Sequence, residues 1–161
     1  YGRLNLSAPK AVSDYSEMIG SSNCISVQRS QDGTWLDSLN MIWKFSYIMN
    51  GTAVQDEVFR EGGLYAGSLR QYQSDSAKWY VSYYSSLGLP PYSVWTGSRE
   101  GNRIVLYKPN SIIQNRSGTS RLTFYDISSS RFKWEGEWLS DDGTIEFVFW
   151  RITCEKRKED K

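Results

Sequence analysis

The sequence contains no histidine among its 161 residues. Without imidazole the chain cannot assemble a Ser-His-Asp or Cys-His catalytic relay, and it cannot supply histidine ligands to zinc or to haem iron. We therefore expect neither a metal site nor a bound cofactor.

Cysteine is scarce as well, with Cys24 and Cys154 standing 130 residues apart. This separation fits no C-x-x-C metal or redox motif. Two free thiols and one disulfide are both compatible with the sequence.

The chain also lacks an excess of charge of one sign, since 19 Lys and Arg residues face 18 Asp and Glu residues. A balanced chain without a basic patch is not expected to bind nucleic acid. No apolar run reaches the roughly 18 residues of a membrane span, so none is predicted. No signal peptide precedes Tyr1, although a leader could have been removed together with the initiator methionine. The compartment stays open between the cytoplasm and export of a soluble protein.

Aromatic residues are abundant, at 15% of the chain, and short β-prone segments follow one another from residue 22 onward. Gly, Asp, Asn, Ser and Pro separate these segments, and no stretch shows a convincing helical period. The pattern predicts ten strands, at about 22–30, 34–49, 52–61, 64–74, 77–86, 92–99, 102–108, 119–127, 130–139 and 143–155.

Tight turns join most of these strands, which indicates an up-and-down antiparallel meander. Only Leu87 to Pro91 and Pro109 to Gly118 resemble longer excursions. A meander of about ten strands avoids exposed edges by closing into a barrel, and such a barrel is wide enough for a small ligand. Closure predicts that the strand with Cys24 lies beside the strand with Cys154.

The predicted organisation is an N-terminal arm over residues 1–21, a β-barrel over 22–155 and a charged tail over 156–161. Residues 13–19 could form one or two helical turns with Ser13 as N-cap. The last strand is apolar on both faces apart from Glu146, so the arm or a partner subunit, as in a homodimer, could cover its outer side.

Several segments occur in the order found in a known group of proteins. They are Asp14-Tyr15-Ser16-Glu17-Met18-Ile19-Gly20, Gly33-Thr34-Trp35, Trp43-Lys44-Phe45-Ser46-Tyr47, Gly51-Thr52-Ala53-Val54-Gln55-Asp56, Ser68-Leu69-Arg70-Gln71-Tyr72, Arg121-Leu122-Thr123-Phe124-Tyr125-Asp126-Ile127 and Phe132-Lys133-Trp134 followed by Ser140-Asp141-Asp142-Gly143. The ordered set resembles the uncharacterised lipocalin-like proteins of the calycin superfamily.

This resemblance implies a calycin barrel that binds or converts a hydrophobic small molecule, with no established reaction. One departure is that Gly20 is followed by Ser21-Ser22, where the family often has Gly-x-Trp. The tryptophan that would plug the base of the barrel is therefore missing, and the closed end must be packed differently.

In the second strand Met41, Trp43, Phe45, Tyr47 and Met49 alternate onto one face, which is the better candidate for the interior. These rings could fill the core or line a pocket. The candidate ligand-binding residues are Trp43, Phe45, Tyr47, Asp56, Arg70, Tyr72, Arg121, Trp134 and Trp150.

Charged candidates follow from a hairpin register centred on Gly63, which places Asp56 directly across from Arg70. Calycin relatives that carry fatty acids often meet the carboxylate with an inward arginine, so Arg70, Arg121 and Arg151 are candidates for that contact. An outward arginine paired with a neighbouring acid is the alternative for each.

Two functions fit these observations. The first is a non-catalytic carrier or sensor of a small, largely apolar molecule, with a carboxylate or other polar head met by an inward arginine. The alternative is an enzyme of the same fold, a cyclase or isomerase, that shapes a hydrophobic substrate and uses an acid such as Asp56. The scarcity of catalytic side chains favours the carrier or sensor.

Overall fold

Ten antiparallel strands close into one barrel in the computed structural model of the protein, which describes residues 2–88, 94–113 and 115–158. The strands are β1 (Gly20–Gln28), β2 (Leu39–Ile48), β3 (Ala53–Arg60), β4 (Gly63–Gln73), β5 (Lys78–Ser85), β6 (Val94–Glu100), β7 (Arg103–Ile113), β8 (Arg116–Tyr125), β9 (Arg131–Ser140) and β10 (Glu146–Lys156). Each strand pairs with its neighbours in sequence, and β1 pairs with β10 to close the ring. The predicted all-β, up-and-down barrel is confirmed.

The β2 strand shows how alternation builds the interior. Met41, Trp43, Phe45 and Tyr47 are all buried, while the intervening side chains face outward and are partly exposed. Met49 departs from the prediction, because β2 ends at Ile48 and Met49 opens a short 3-10 turn in which its side chain is 63% exposed.

One end of the barrel is closed by an N-terminal 3-10 helix, Lys10–Met18, which buries Val12, Tyr15 and Met18. The helix begins after Pro9, and the Ser13 hydroxyl donates to the carbonyl of Lys10. Ser13 therefore lies inside the helix and is not its N-cap, as the sequence had suggested. We call this end of the barrel the closed end and the opposite end, with the β3–β4 hairpin, the open end.

Two predicted boundaries are wrong for local reasons. Residues 34–38 do not extend β2, because the Thr34 carbonyl accepts from Ser30 and Leu36 donates back to Gln28 at the end of β1. Residues 109–118 form no long excursion, since β7 continues to Ile113 and β8 starts at Arg116. An irregularity between Lys108 and Ser111 accommodates Pro109, which cannot donate to a ladder. The predicted excursion at 87–91 lies mostly outside the described residues.

The seam between β1 and β10 is joined covalently. Cys24 lies directly opposite Cys154 in the ladder, and the two form a disulfide with their Cα atoms 4.1 Å apart. The predicted adjacency of the first and last strands is confirmed, and the disulfide is the outcome of the two that the sequence left open.

Candidate functional site

A cavity of about 370 Å³ occupies the open half of the barrel. Ten apolar side chains line it: Met41, Trp43, Val58, Ala66, Trp95, Leu122, Trp134, Phe149, Trp150 and Ile152. Gly136 leaves space for the rings of Trp134 and Phe149, because a Cβ atom at this position would lie 3.0 Å from the first ring and 3.1 Å from the second. The wall is thus mainly aromatic and aliphatic, as is usual for small-molecule pockets.

A buried ion pair lies at the inner end of the cavity. Arg70 Nη2 donates to Asp56 Oδ1 at 2.5 Å, and Trp43 Nε1 donates to Asp56 Oδ2 at 2.8 Å. Both charged side chains are almost fully buried, at 4% and 3% exposure. Each carboxylate oxygen of Asp56 already has a donor, so the pair forms a nearly neutral, hydrogen-bonded unit.

The register of this pair differs from the prediction. Asp56 lies opposite Ser68, and Arg70 lies opposite Val54, because the hairpin turns at Glu61 and Gly62, with Arg60 paired to Gly63, and is not centred on Gly63. The predicted direct opposition is therefore wrong, and the long arginine side chain reaches Asp56 diagonally across the strands.

Aromatic rings seal the Arg70 guanidinium on the side of the closed end. Its central carbon lies 5.0 Å from the centroid of the Tyr15 ring, 5.4 Å from that of Phe124 and 5.6 Å from that of Phe45. Burial raises the pKa of Tyr15 to about 12, although the nearby Arg70 opposes this shift. Tyr15 therefore stays neutral at physiological pH, and its hydroxyl lies 3.5 Å from Arg70 Nη1.

Two further cations belong to the cavity wall. Arg60, at the open end of β3, stacks its guanidinium 3.8 Å from the centroid of the Tyr65 ring. Lys108, on β7, holds its ammonium 5.0 Å from the centroid of the Trp95 ring. Together with Arg70 they make three cations against the single carboxylate of Asp56 among the lining residues. The Nε atom of Arg60 is buried and has no hydrogen-bond partner in the described part of the chain.

The candidate residues from the sequence separate into three groups. Trp43, Asp56, Arg70, Trp134 and Trp150 come together in the cavity wall. Phe45, Tyr47 and Tyr72 do not line it: Phe45 and Tyr47 are buried in the core, and Tyr72 packs against Trp79 with the ring centroids 5.6 Å apart.

Arg121 lies on the outer face of the barrel, because alternation along β8 directs Leu122 and Phe124 to the core instead. There Arg121 donates to both carboxylate oxygens of Glu137, at 2.7 and 2.8 Å, and to Glu146 at 2.5 Å. Arg151 is also outward and pairs with Glu135 at 2.7 Å. Of the three arginines, Arg70 is the one in the cavity wall.

Sequence reasoning missed several residues of the wall, above all Arg60 and Lys108. Both had a signal: Arg60 continues the alternation of Asp56 along β3, and Lys108 continues that of Ile104 and Leu106 along β7. Phe149 had none, since it enters the wall at an irregularity between Val148 and Trp150 that alternation does not reveal.

Within residues 2–88, 94–113 and 115–158, no group of three or more Cys, Asp and Glu side chains is arranged to hold a metal ion. In the same part of the chain, no helix has the length and apolar character needed to cross a membrane.

Comparisons with known proteins identify the fold. No protein-family model matches the chain, and no curated protein matches it by sequence. Among solved structures, the S-type phycobiliprotein lyase CPES from Guillardia theta is similar, with a TM-score of 0.58 and 10% identity over 91% of this chain and 92% of that one. Rv2717c from M. tuberculosis is similar with a TM-score of 0.56 and 8% identity, over 94% of this chain and 99% of that one. At such low identity these likenesses show a shared calycin-like barrel fold and nothing finer.

Proposed function

We propose that this protein is a carrier or sensor that binds a small, largely apolar molecule with an anionic head in the barrel cavity. The observation that carries this proposal is the charge of the cavity wall. Asp56 already neutralises Arg70, whereas Arg60 forms no ion pair within the described part of the chain and its Nε is buried without a hydrogen-bond partner. A carboxylate or a similar anion would complement the Arg60 guanidinium.

The size of the cavity limits the ligand. At about 30 Å³ for each water-sized group, 370 Å³ holds roughly 12 non-hydrogen atoms. The aromatic and aliphatic wall favours a ligand with an apolar body, because each buried methylene contributes about 0.8 kcal/mol to the binding free energy. A medium-length acyl chain or a substituted aromatic acid has this size and character.

The head is expected to lie toward the open end. Arg60 is the last residue of β3 at that end, whereas at the inner end Asp56 already neutralises the charge of Arg70. An anion placed beside Asp56 would meet repulsion and would lose its own hydration. The arrangement favours a ligand that enters with its uncharged end first.

The geometry supports binding over catalysis by Asp56. A general base needs a free oxygen in reach of its substrate, but both carboxylate oxygens of Asp56 accept hydrogen bonds from Arg70 and Trp43. The cyclase or isomerase alternative would therefore have to use another group. A fold alone does not decide this question, since one structural neighbour with this barrel is named as a lyase.

Intrinsic tryptophan fluorescence tests the proposal, because Trp43, Trp95, Trp134 and Trp150 all line the cavity. The protein is titrated with octanoate, octan-1-ol and octylammonium, which share the apolar chain and differ in the head. We expect octanoate to bind tightest, with at least a roughly tenfold preference over octylammonium.

Two double variants that remove the same number of positive charges test where the anionic head of the ligand binds. Replacing Arg60 and Lys108 together by Gln should abolish the preference for octanoate. Replacing Arg131 and Lys133 by Gln removes two cations from β9 near the closed end, where Lys133 pairs with Asp126, and should leave the preference intact. Equal affinity for all three probes, or no response to any of them, would contradict the proposal.

A further inference from the structure

Ser68 is a buried polar residue of the cavity wall that the fold itself does not use. It lies on β4 opposite Asp56, and its side chain shares the inward face of Ala66 and Arg70. Only 6% of the residue is exposed, and its hydroxyl opens onto the cavity and makes no hydrogen bond to any residue in the described part of the chain. A ligand that displaces solvent from the cavity would leave this hydroxyl unsatisfied unless a ligand atom pairs with it, so such pairing is favoured.

Other buried serines of the barrel are used structurally. The hydroxyl of Ser26 accepts from Trp150 Nε1 at 2.8 Å, and the hydroxyl of Ser140 donates to Asp142 in the β9–β10 turn. Ser22 also has a hydroxyl without a partner, but this hydroxyl is fully buried and lies outside the cavity wall. Ser68 therefore combines an unpaired hydroxyl with a position in the cavity.

The surroundings of Ser68 define the group that it can receive. Asp56 and Arg70 neutralise each other and Trp43 donates to Asp56, so this end of the cavity offers no uncompensated charge. A second charged group of a ligand would be desolvated there without a counter-charge. A neutral oxygen suits the site, because a hydroxyl can donate to a carbonyl and can exchange hydrogen bonds with an alcohol.

We infer that Ser68 is a specificity-determining residue that hydrogen-bonds a neutral oxygen at the inner end of the ligand. The inference rests on the proposed function and names the ligand class more closely: an apolar acid with a hydroxyl or carbonyl oxygen at the end opposite its anionic head. Asp56, opposite Ser68, stands four residues before Arg60 on β3, which separates the two polar sites by roughly 13 Å along the strand. The apolar body of the ligand spans that separation.

The test compares octanoate with ω-hydroxyoctanoate, which differ only by the terminal hydroxyl. We expect the wild-type protein to bind ω-hydroxyoctanoate roughly fivefold more tightly, the gain of one hydrogen bond. Ser68→Ala should lose this preference and still bind octanoate. Ser22→Ala removes a buried, unpaired hydroxyl outside the cavity wall and should keep the preference.

Both alanine variants are expected to fold, since each removes a hydroxyl without a partner, and thermal unfolding checks this directly. If the wild type binds neither acid, the proposed function itself fails. If it binds both acids equally, or if Ser22→Ala loses the preference as fully as Ser68→Ala, the role of Ser68 is overturned while binding of an apolar acid stands.

Discussion

At the residue scale, the buried carboxylate of Asp56 has a matched comparison on its own strand. Asp56→Asn leaves the guanidinium of Arg70 buried without a counter-charge, which we expect to lower the free energy of unfolding by roughly 3–5 kcal/mol. Glu57→Gln, next in sequence, breaks only the partly exposed pair with Lys44 and should cost less than about 1 kcal/mol. Urea unfolding of both variants measures the difference. Equal losses of unfolding free energy would show that the buried pair stabilises the fold no more than the partly exposed pair does.

The expected loss of stability makes Asp56→Asn unsuitable as a test of catalysis. Because Asp56→Asn disturbs the folded core, a loss of turnover in that variant would not identify Asp56 as a catalytic acid. Ser68 and Arg60 are better positions for functional substitutions, since neither takes part in the buried ion pair.

Alternation along the strands predicted much of the cavity wall at the level of single residues. It placed Trp43 and Trp134 inward, and the structure buries both. It failed where a ladder is irregular, as between Val148 and Trp150, where the consecutive residues Phe149 and Trp150 both enter the cavity wall. It also could not distinguish the cavity from the packed core, since Phe45 shares the inward face of Trp43 but lies below the cavity.

At the scale of elements, the N-terminal 3-10 helix packs into the core at the closed end of the barrel. Tyr15 is fully buried and makes an edge contact with Trp79, with the ring centroids 4.9 Å apart. The tryptophan itself donates from Nε1 to Asp14 at 3.0 Å, so two consecutive helix residues hold it. The helix is thereby a structural part of the closed end.

We expect Tyr15→Ala to lower the free energy of unfolding by roughly 3–5 kcal/mol, because it removes a large buried ring. Tyr15→Phe keeps the ring and loses only a hydroxyl 3.5 Å from Arg70, so its loss should be much smaller. Thermal and urea unfolding of the two variants gives the comparison. A similar cost for both would place the stabilisation in the hydroxyl and not in the packing of the ring.

Turn chemistry predicted the order of the elements well, because Gly and Asn mark places where the backbone takes positive φ. Asn50, Gly62, Gly101 and Gly143 all do so in connections between consecutive strands. The same reasoning misjudged Pro109, since a proline within a strand can be accommodated where the ladder is irregular. The helix was only partly visible, because a short 3-10 segment has little of the periodicity that marks an α-helix.

At the scale of the whole molecule, the disulfide connects the first and last strands of the barrel across 130 residues of sequence. A link over so long a loop restricts the unfolded chain strongly, and its loss is expected to cost roughly 5 kcal/mol. Replacing both Cys24 and Cys154 by Ala should lower the urea midpoint accordingly. The wild type unfolded in reductant should show a similar loss, and an unchanged midpoint in both experiments would mean that the seam is held by its ladder alone.

The position of the disulfide in its ladder also determines how the barrel resists mechanical force. Tension from segments that flank Gly20 and Lys156 enters the β1–β10 ladder at one end and would unzip it pair by pair. The first two pairs, Ser22 with Lys156 and Asn23 with Glu155, can separate, but the third is the covalent link between Cys24 and Cys154. Once these two pairs have separated, the disulfide carries the applied force. The hydrogen bonds of the remaining pairs, from Ile25 with Thr153 to Gln28 with Trp150, are then protected from it.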